Sequence, residues 1–277
     1  MTAMRYIFTA LRKEAADLIE ELHLKPSGTS LQCYENDSTV LTVTGTGPLS
    51  AASACAAVLF SHRAADRDIV INAGIAAAVH NGTKQQLYAI HKIHDCSSGR
   101  DYYPDMIPSP KYPEAQLITG AKPCRASDNA VSFVHTDTPV LYDMEGAAVF
   151  HAASMFLSPH RIRLLKLVSD AGEAEQIHFD PAWSFKLKEA VLHEAERMEA
   201  VPAAPGKLVP DCGALAQELH ATVAMKRRLE QALRYAELAG IDWNSIVMRY
   251  RADGLLPSQH KEDGKQILEK LIHDIQD

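Results

Sequence analysis

An α/β protein with a largely buried sheet is the fold class that this 277-residue sequence predicts. Short apolar, β-branched runs alternate with longer helical patterns through the first two-thirds of the chain. The runs are nearly continuous in apolar residues, as expected for strands covered on both faces. Several of them end in small turn residues that feed directly into a helix.

Residues 5–10 (RYIFTA) read as the first strand, and the pattern through Glu14, Ala15, Ala16, Asp17, Leu18 and Ile19 as the helix after it. Residues 39–44 (TVLTVT) make another strand, which ends at Gly45-Thr46-Gly47 and feeds an alanine-rich helix over 49–62. Residues 68–72 (DIVIN) predict a buried strand that stops at Gly74, and 87–93 a longer one. Residues 140–142 lead into a helix over about 145–156, residues 163–168 (RLLKLV) form the last strand, and 181–198 a helix.

At residues 201–210 (VPAAPGKLVP) the composition changes. Four prolines or glycines and no regular period mark a linker. The expected organisation is therefore a catalytic-type α/β domain over 1–200, a linker over 201–210 and an all-helical extension over 211–277. In that extension Leu215, Leu219, Val223, Leu229 and Leu233 fit one helix face that ends at Gly240. Trp243, Ile246, Val247 and Tyr250 make a second stripe, and Leu268, Leu271, Ile272 and Ile275 a third. Lys and Arg nearly balance Asp and Glu there, which argues for a helical cap or oligomer contact over a DNA-binding module.

Composition narrows the function classes. Hydrophobic residues make up 47% and charged residues 23%, ordinary for a globular chain. A formal net charge of −7 argues against a nucleic-acid footprint. No apolar stretch approaches the roughly 18 residues of a membrane span, and the N-terminal run is too brief for a signal peptide. Five scattered cysteines without a C-x-x-C pair suggest neither a disulfide framework nor a zinc site, so the expected compartment is the reducing cytoplasm.

The candidate chemistry lies at strand ends. Gly45-Thr46-Gly47-Pro48-Leu49-Ser50 invites comparison with a dinucleotide fingerprint. Ser50 stands in the place of the third glycine, however, and Asp66 lies before a strand instead of at its end. The turn still offers free N–H groups at a helix start, or serves only as a tight turn. His91 and His94 are three apart on a strand and face opposite sides, which disfavours a metal site. No phosphate-binding loop of the G-x-x-x-x-G-K type and no G-x-S-x-G elbow occurs. More informative is Asp143-Met144-Glu145-Gly146-Ala147 at a strand-to-helix junction, together with Ser169-Asp170 after the last strand. Two acidic groups at carboxyl ends of strands suit vicinal hydroxyls and proton donation, although a helix N-terminus explains Glu145 equally well.

The chain resembles the purine nucleoside phosphorylase and methylthioadenosine/adenosylhomocysteine nucleosidase superfamily over roughly residues 4–200. The resemblance rests on an ordered set: Phe8-Thr9-Ala10-Leu11-Arg12-Lys13-Glu14, then Gly45-Thr46-Gly47, then Ile71-Asn72-Ala73-Gly74, then 143–147 with Leu167-Val168-Ser169-Asp170. It implies a three-layer α/β/α fold with a central, mostly parallel mixed sheet. No cofactor and no metal are expected, and the expected assembly is a homodimer or higher homo-oligomer. The resemblance implies that Met144 and Glu145 hold the ribose, with Gly47, Ala73, Gly74 and Ser169 completing the nucleoside site. Asp170 would protonate the purine N7, so that the base leaves neutral while the sugar gains oxocarbenium character. Glu14 would orient an attacking water. For Glu14 the alternative is an exposed acid in a first helical turn, and for Asp170 a helix or loop cap.

The implied reaction is hydrolysis of the N-glycosidic bond of a purine nucleoside, of the 5′-methylthioadenosine or S-adenosylhomocysteine type. The alternatives are phosphorolysis, with phosphate as second substrate, and a non-catalytic nucleoside-binding module whose output is the helical extension. Asn72 stands where the phosphorylase branch has Arg, and Ile75 where it has Ser, so two phosphate ligands are missing; Arg12 or Arg100 are the substitutes that a phosphorylase would need. The chain departs from the family pattern at 117–123, where the usual base-contact segment is absent, and at Gly82-Thr83. It departs again at the insertion-like loop 99–105, whose tyrosines suit either a base or a dimer contact.

Overall fold

The computed structural model describes residues 3–28, 31–123, 137–171, 179–201 and 212–276. It divides into two compact units, Met1–Ala203 and Ala204–Asp277.

The spine of the first unit is β5, Ile69–His80. Along its first half β1 (Arg5–Thr9) and β10 (Ile162–Asp170) pair with it in parallel. β4 (Thr39–Val43) extends the sheet in parallel beyond β1, and β3 (Gln32–Glu35) and β2 (Lys25–Pro26) finish that edge antiparallel. At its far end β5 exchanges β1 for β9 (Val140–Asp143), antiparallel over Ala77–His80. β9 pairs with β8 (Glu114–Thr119), β8 with β6 (Leu87–Asp95), and β6 returns to β10. Five strands thus close a circuit, from which β1, β4, β3 and β2 run out as an open wing.

Parallel neighbours need crossovers, and helices supply them. α1 (Arg12–Glu21) follows β1, α2 (Pro48–Ser61) joins β4 to β5, α3 (Gly146–Ala153) joins β9 to β10, and α4 (Pro181–Glu199) follows β10. The period-2 alternation of β10 divides the core. Leu164 and Val168 pack on one side with Cys55 and Leu59 of α2 and Val149 of α3. Leu165 and Leu167 pack on the other with Leu18 of α1 and Leu187 of α4. The result is the three-layer α/β/α arrangement with a mixed sheet that the sequence predicts.

Several boundaries differ from that expectation. β5 does not stop at Gly74 but continues six residues further, to His80. Gly74 is there for close approach, since a Cβ on it would lie 2.9 Å from Glu14 Oε1. β10 likewise runs through Ser169 and Asp170, with an irregularity in register between Val168 and Asp170. The supposed insertion loop contains β7 (Arg100–Tyr102), an antiparallel partner of β6.

The second unit is helical: α5 (Gly213–Glu218), α6 (Val223–Ala239), α7 (Trp243–Ala252) and α8 (Lys261–Gln276). Its own core joins Leu215, Leu219, Leu229, Leu233, Tyr250 and Leu268. The single stripe expected from Leu215 to Leu233 is in fact two helices. α5 ends at Glu218, His220 adopts a φ of 46°, and the Thr222 hydroxyl caps α6 by accepting from the Met225 N–H. Val223, at the first position of α6, is 73% exposed and does not belong to the buried stripe. Gly240 closes α6 with a φ of 69°, as a left-handed C-cap requires. Residues 202–210 of the expected linker lie outside the described residues. Among the described residues no helix is long and apolar enough to cross a membrane.

Candidate active site

The dispersed segments of the sequence meet around the middle of β5. The Glu14 side chain turns back from the start of α1, and its Oε2 accepts from the Ala10 and Leu11 N–H groups at 2.9 and 2.8 Å. Its Oε1 accepts from the Ile75 N–H at 2.9 Å, which ties the β1–α1 turn to β5. One residue along, the Ala76 carbonyl lies 3.2 Å from the Ser169 hydroxyl, and Ala77 is the register partner of both Asp170 and Tyr142. The run Gly74 to Ala78 carries small side chains apart from Ile75, and groups reach it from two strands, β10 and β9, and from α1.

Glu145 stands just before α3 and is buried. Its Oε1 accepts from the Gly47 N–H at 2.7 Å, so the β4–α2 turn is fixed to the β9–α3 junction. Gly47 has a φ of 97°, a conformation that favours glycine and aims its N–H at the carboxylate. Met144, between Asp143 and Glu145, is half-buried. Ala73 contributes its methyl group to the core beside Ile7 and Leu18, so only its backbone is available to a ligand.

Two of these carboxyl groups have displaced acidities. Burial pushes Glu14 up from the ordinary glutamate value, against the pull of three backbone N–H donors and Lys166. Glu145 is pushed up to about 7, by burial first and then by the Asp143 charge, with Lys166 and the Gly47 N–H opposing. Shifts of this kind gather where buried charges face each other, and such places are candidate sites of chemistry.

The structure adds residues to which the sequence reading gave no role of their own. Asp143 is buried, with Oδ1 accepting from the Thr119 hydroxyl at 2.7 Å and Oδ2 from the Gly146 N–H at 2.8 Å. Lys166 Nζ lies 2.8 Å from the same Oδ2, with a side chain only 2% exposed. The indication in the sequence was a lysine inside the apolar strand RLLKLV, since a buried ammonium needs an anionic partner.

Other expected contributors lie elsewhere. Asn72 is buried, and its Nδ2 donates to the Phe8 carbonyl at 3.0 Å, so it fastens β5 to β1. The Arg12 guanidinium lies 4.8 Å above the Tyr34 ring, and Arg100 is exposed on β7. Tyr102 packs against Phe150 and His151, with ring centroids 5.8 Å apart in each case, while Tyr103 is exposed. A cavity of about 630 Å³ opens beside the Gly47 turn, bordered by Thr46, Gly47, Thr119, Ala147, Tyr102 and His151. Glu14 and Asp170 do not line it. Nor does Glu145, so of the expected site residues Gly47 is the one that borders this cavity. Among the described residues no cluster of His, Cys, Asp and Glu could hold a metal ion.

No family model and no curated protein matches this sequence. Solved structures do match it in fold. The 5′-methylthioadenosine/S-adenosylhomocysteine nucleosidase from S. pneumoniae, with the transition-state inhibitor MT-ImmA, shares 18% identity at a TM-score of 0.53, over 71% of this chain and 97% of that one. The corresponding nucleosidase from Neisseria meningitidis, in complex with methylthio-immucillin-A, shares 19% at 0.52, over 72% and 98%. An MTAN from Chlamydia trachomatis bound to adenine shares 22% at 0.52, over 70% and 98%. The α/β part of this chain has the nucleoside phosphorylase/hydrolase-like fold of these proteins.

Proposed function

We propose that this chain hydrolyses the N-glycosidic bond of a purine nucleoside. The observation that supports the reading is that Glu14 binds the Ile75 N–H and Asp170 stands in register with Ala77 two residues further along β5, although they are 156 positions apart in sequence. The buried Glu145, held by the Gly47 N–H, feels the charge of the same Glu14 and Lys166. The solved proteins of the same fold with inhibitors or adenine bound support a nucleoside as the ligand.

In this reading Glu145 accepts hydrogen bonds from the ribose hydroxyls, with Met144 against the sugar. Asp170 delivers a proton to the purine N7. The Ser169 hydroxyl lies 2.5 Å from Asp170 Oδ2 and 3.2 Å from the Ala76 carbonyl, which sets the carboxyl group beside β5. Glu14 has three of about four acceptor directions filled by backbone N–H groups, leaving one for a water.

Water is favoured over phosphate as the nucleophile. A phosphate needs a cluster of donors and cations. Among the described residues, the cation acting on Glu14 and Glu145 is Lys166, which is already engaged by Asp143. The second reading, a nucleoside binder without turnover, is favoured by one feature: at 2% exposure Glu14 also serves as a buried cap of α1. The substrate class is a nucleoside with a 5′-thio substituent, as in the proteins of the same fold. The working assembly is a homodimer in the cytoplasm. Exposed apolar side chains on and beside α2 and α3 support the dimer, with Leu49 at 84%, Phe60 at 76% and Met155 at 72%. Free Cys33, Cys55, Cys96 and Cys212 support a reducing compartment.

The deciding experiment incubates a panel of purine nucleosides with the protein, with and without phosphate, and detects free base and the sugar product. Free base and ribose without phosphate are expected. Ribose 1-phosphate would make the enzyme a phosphorylase, and tight binding with no base release would make it a binder.

A further inference from the structure

We propose that Lys166 is the positioning residue of this site, holding Asp143, and through it Glu145, against the first turn of α3. The assignment rests on the nucleosidase reading only for what Glu145 does, not for how Lys166 holds it.

The geometry begins in β10, where Arg163 and Lys166 are the two cations in an otherwise apolar run that ends in Ser169 and Asp170. Arg163 is turned to structural use: its guanidinium donates to the Pro108 carbonyl and lies 3.6 Å from Glu194 on α4. Lys166 has the opposite direction and meets Asp143 at 2.8 Å. Asp143 is itself a junction, since its oxygens also take the Thr119 hydroxyl and the Gly146 N–H. The Thr119 hydroxyl in turn accepts from the Ala147 N–H at 3.0 Å. The first turn of α3, and with it Glu145, is therefore set by a chain of bonds that ends on the Lys166 ammonium.

Charge balance points the same way. α1 brings Glu14 to this place, the β9–α3 junction brings Asp143 and Glu145, and all three are buried. β10 supplies Lys166 and Asp170, and β6 presents Tyr88 in register with Lys166, its hydroxyl accepting from the Thr83 N–H. From Gly74 to Ala78, β5 has no titratable side chain. Among the described residues one ammonium thus meets Asp143 directly and acts at longer range on Glu14 and Glu145. Breaking a buried pair from one side leaves its partner an uncompensated charge. Without Lys166 the glutamates ionise only at higher pH, and an un-ionised Glu145 accepts fewer bonds from sugar hydroxyls.

Lys166→Gln keeps a donor for Asp143 but removes the charge, and Lys166→Arg keeps both. In the full chain, Lys166→Gln is expected to move the acid limb of kcat/KM about one unit to higher pH. Its KM at neutral pH is expected to rise about tenfold, with most of the loss recovered near pH 9, while Lys166→Arg follows the unsubstituted profile. A merely structural defect would not be repaired by raising the pH. A ¹³C carboxyl titration without nucleoside, with the Glu145 signal identified by its loss in Glu145→Gln, should show a higher midpoint in Lys166→Gln. Should that variant not fold, the Lys166 ¹⁵Nζ shift of the unsubstituted protein should follow the Glu145 titration. An unmoved carboxyl midpoint, or an ¹⁵Nζ shift indifferent to it, overturns the proposal. Absence of base release by the unsubstituted protein overturns only the nucleosidase reading.

Discussion

At the scale of single residues, the acids of the site differ in what surrounds them, and their variants should differ accordingly. Asp170 stands at the end of a strand with the Ser169 hydroxyl on its Oδ2, and Asp170→Asn keeps an acceptor oxygen for that bond. Its turnover should fall by about 10²–10⁴, the usual worth of a placed general acid. Normal base release from Asp170→Asn would remove it from the chemistry. Glu14→Gln should lower turnover as well, but with some loss of stability, because an amide oxygen and nitrogen cannot both accept from the Ala10, Leu11 and Ile75 N–H groups. Glu145 gives a pH prediction. Its folded-state pKa of about 7 lies above the ordinary value of 4.5, so the folded protein holds the proton more tightly than the unfolded chain. The associated stability is complete below about pH 4.5 and is lost as pH rises through about 7. Glu145→Gln should flatten that decline, by no more than about 3 kcal/mol, while abolishing tight sugar binding. Denaturant midpoints measured from pH 4 to 8 would show it, and an unchanged slope would contradict the assignment.

At the scale of elements, β5 organises the site, and Gly74 is its most constrained position. A methyl group there would meet Glu14 Oε1 at 2.9 Å and Cδ at 3.3 Å, and the carboxylate is pinned by three backbone donors. Gly74→Ala should therefore displace Glu14 and cut turnover at least tenfold, with a stability loss of about 1–3 kcal/mol. Retained turnover would mean that Glu14 can move without consequence. The same position shows what the sequence could and could not reveal. Apolar β-branched runs made β1, β4, the start of β5 and β10 legible, because buried strands need nothing else to be recognised. Gly74 read as a stop, since a glycine after DIVIN looks the same whether the chain turns or another side chain comes close. β8 (EAQLIT) escaped notice because it is short and half-polar, although Thr119 in it holds Asp143. Glu14, Glu145 and Asp170 were singled out through an ordered resemblance of motifs. Lys166 was not, for its meaning depends on Asp143, 23 positions away, and only pairing reveals it.

At the scale of the whole molecule, the α/β unit and the helical unit have separate cores, and the proteins of the same fold span nearly their whole length against 70–72% of this chain. The first unit, Met1–Ala203, accounts for a similar share and holds every residue of the proposed site. Three arginines of the helical unit are engaged by acids: Arg228 pairs with Glu269, Arg249 with Asp274 and Arg251 with Glu218. One substitution separates the two units experimentally. Gly264 lies in α8 against the end of α5, where a Cβ would come within 1.9 Å of the Leu219 carbonyl oxygen and 2.7 Å of its carbon. Backbone cannot yield as a flexible side chain can, so Gly264→Ala should cost the helical unit about 3 kcal/mol or more of its stability. Calorimetry should then show one transition shifted down and another in place, because separate cores melt separately. Base release at a temperature between the two should be that of the unsubstituted protein. If activity falls together with the helical unit, that unit supports the site directly, and the assignment of all the chemistry to the first 203 residues fails.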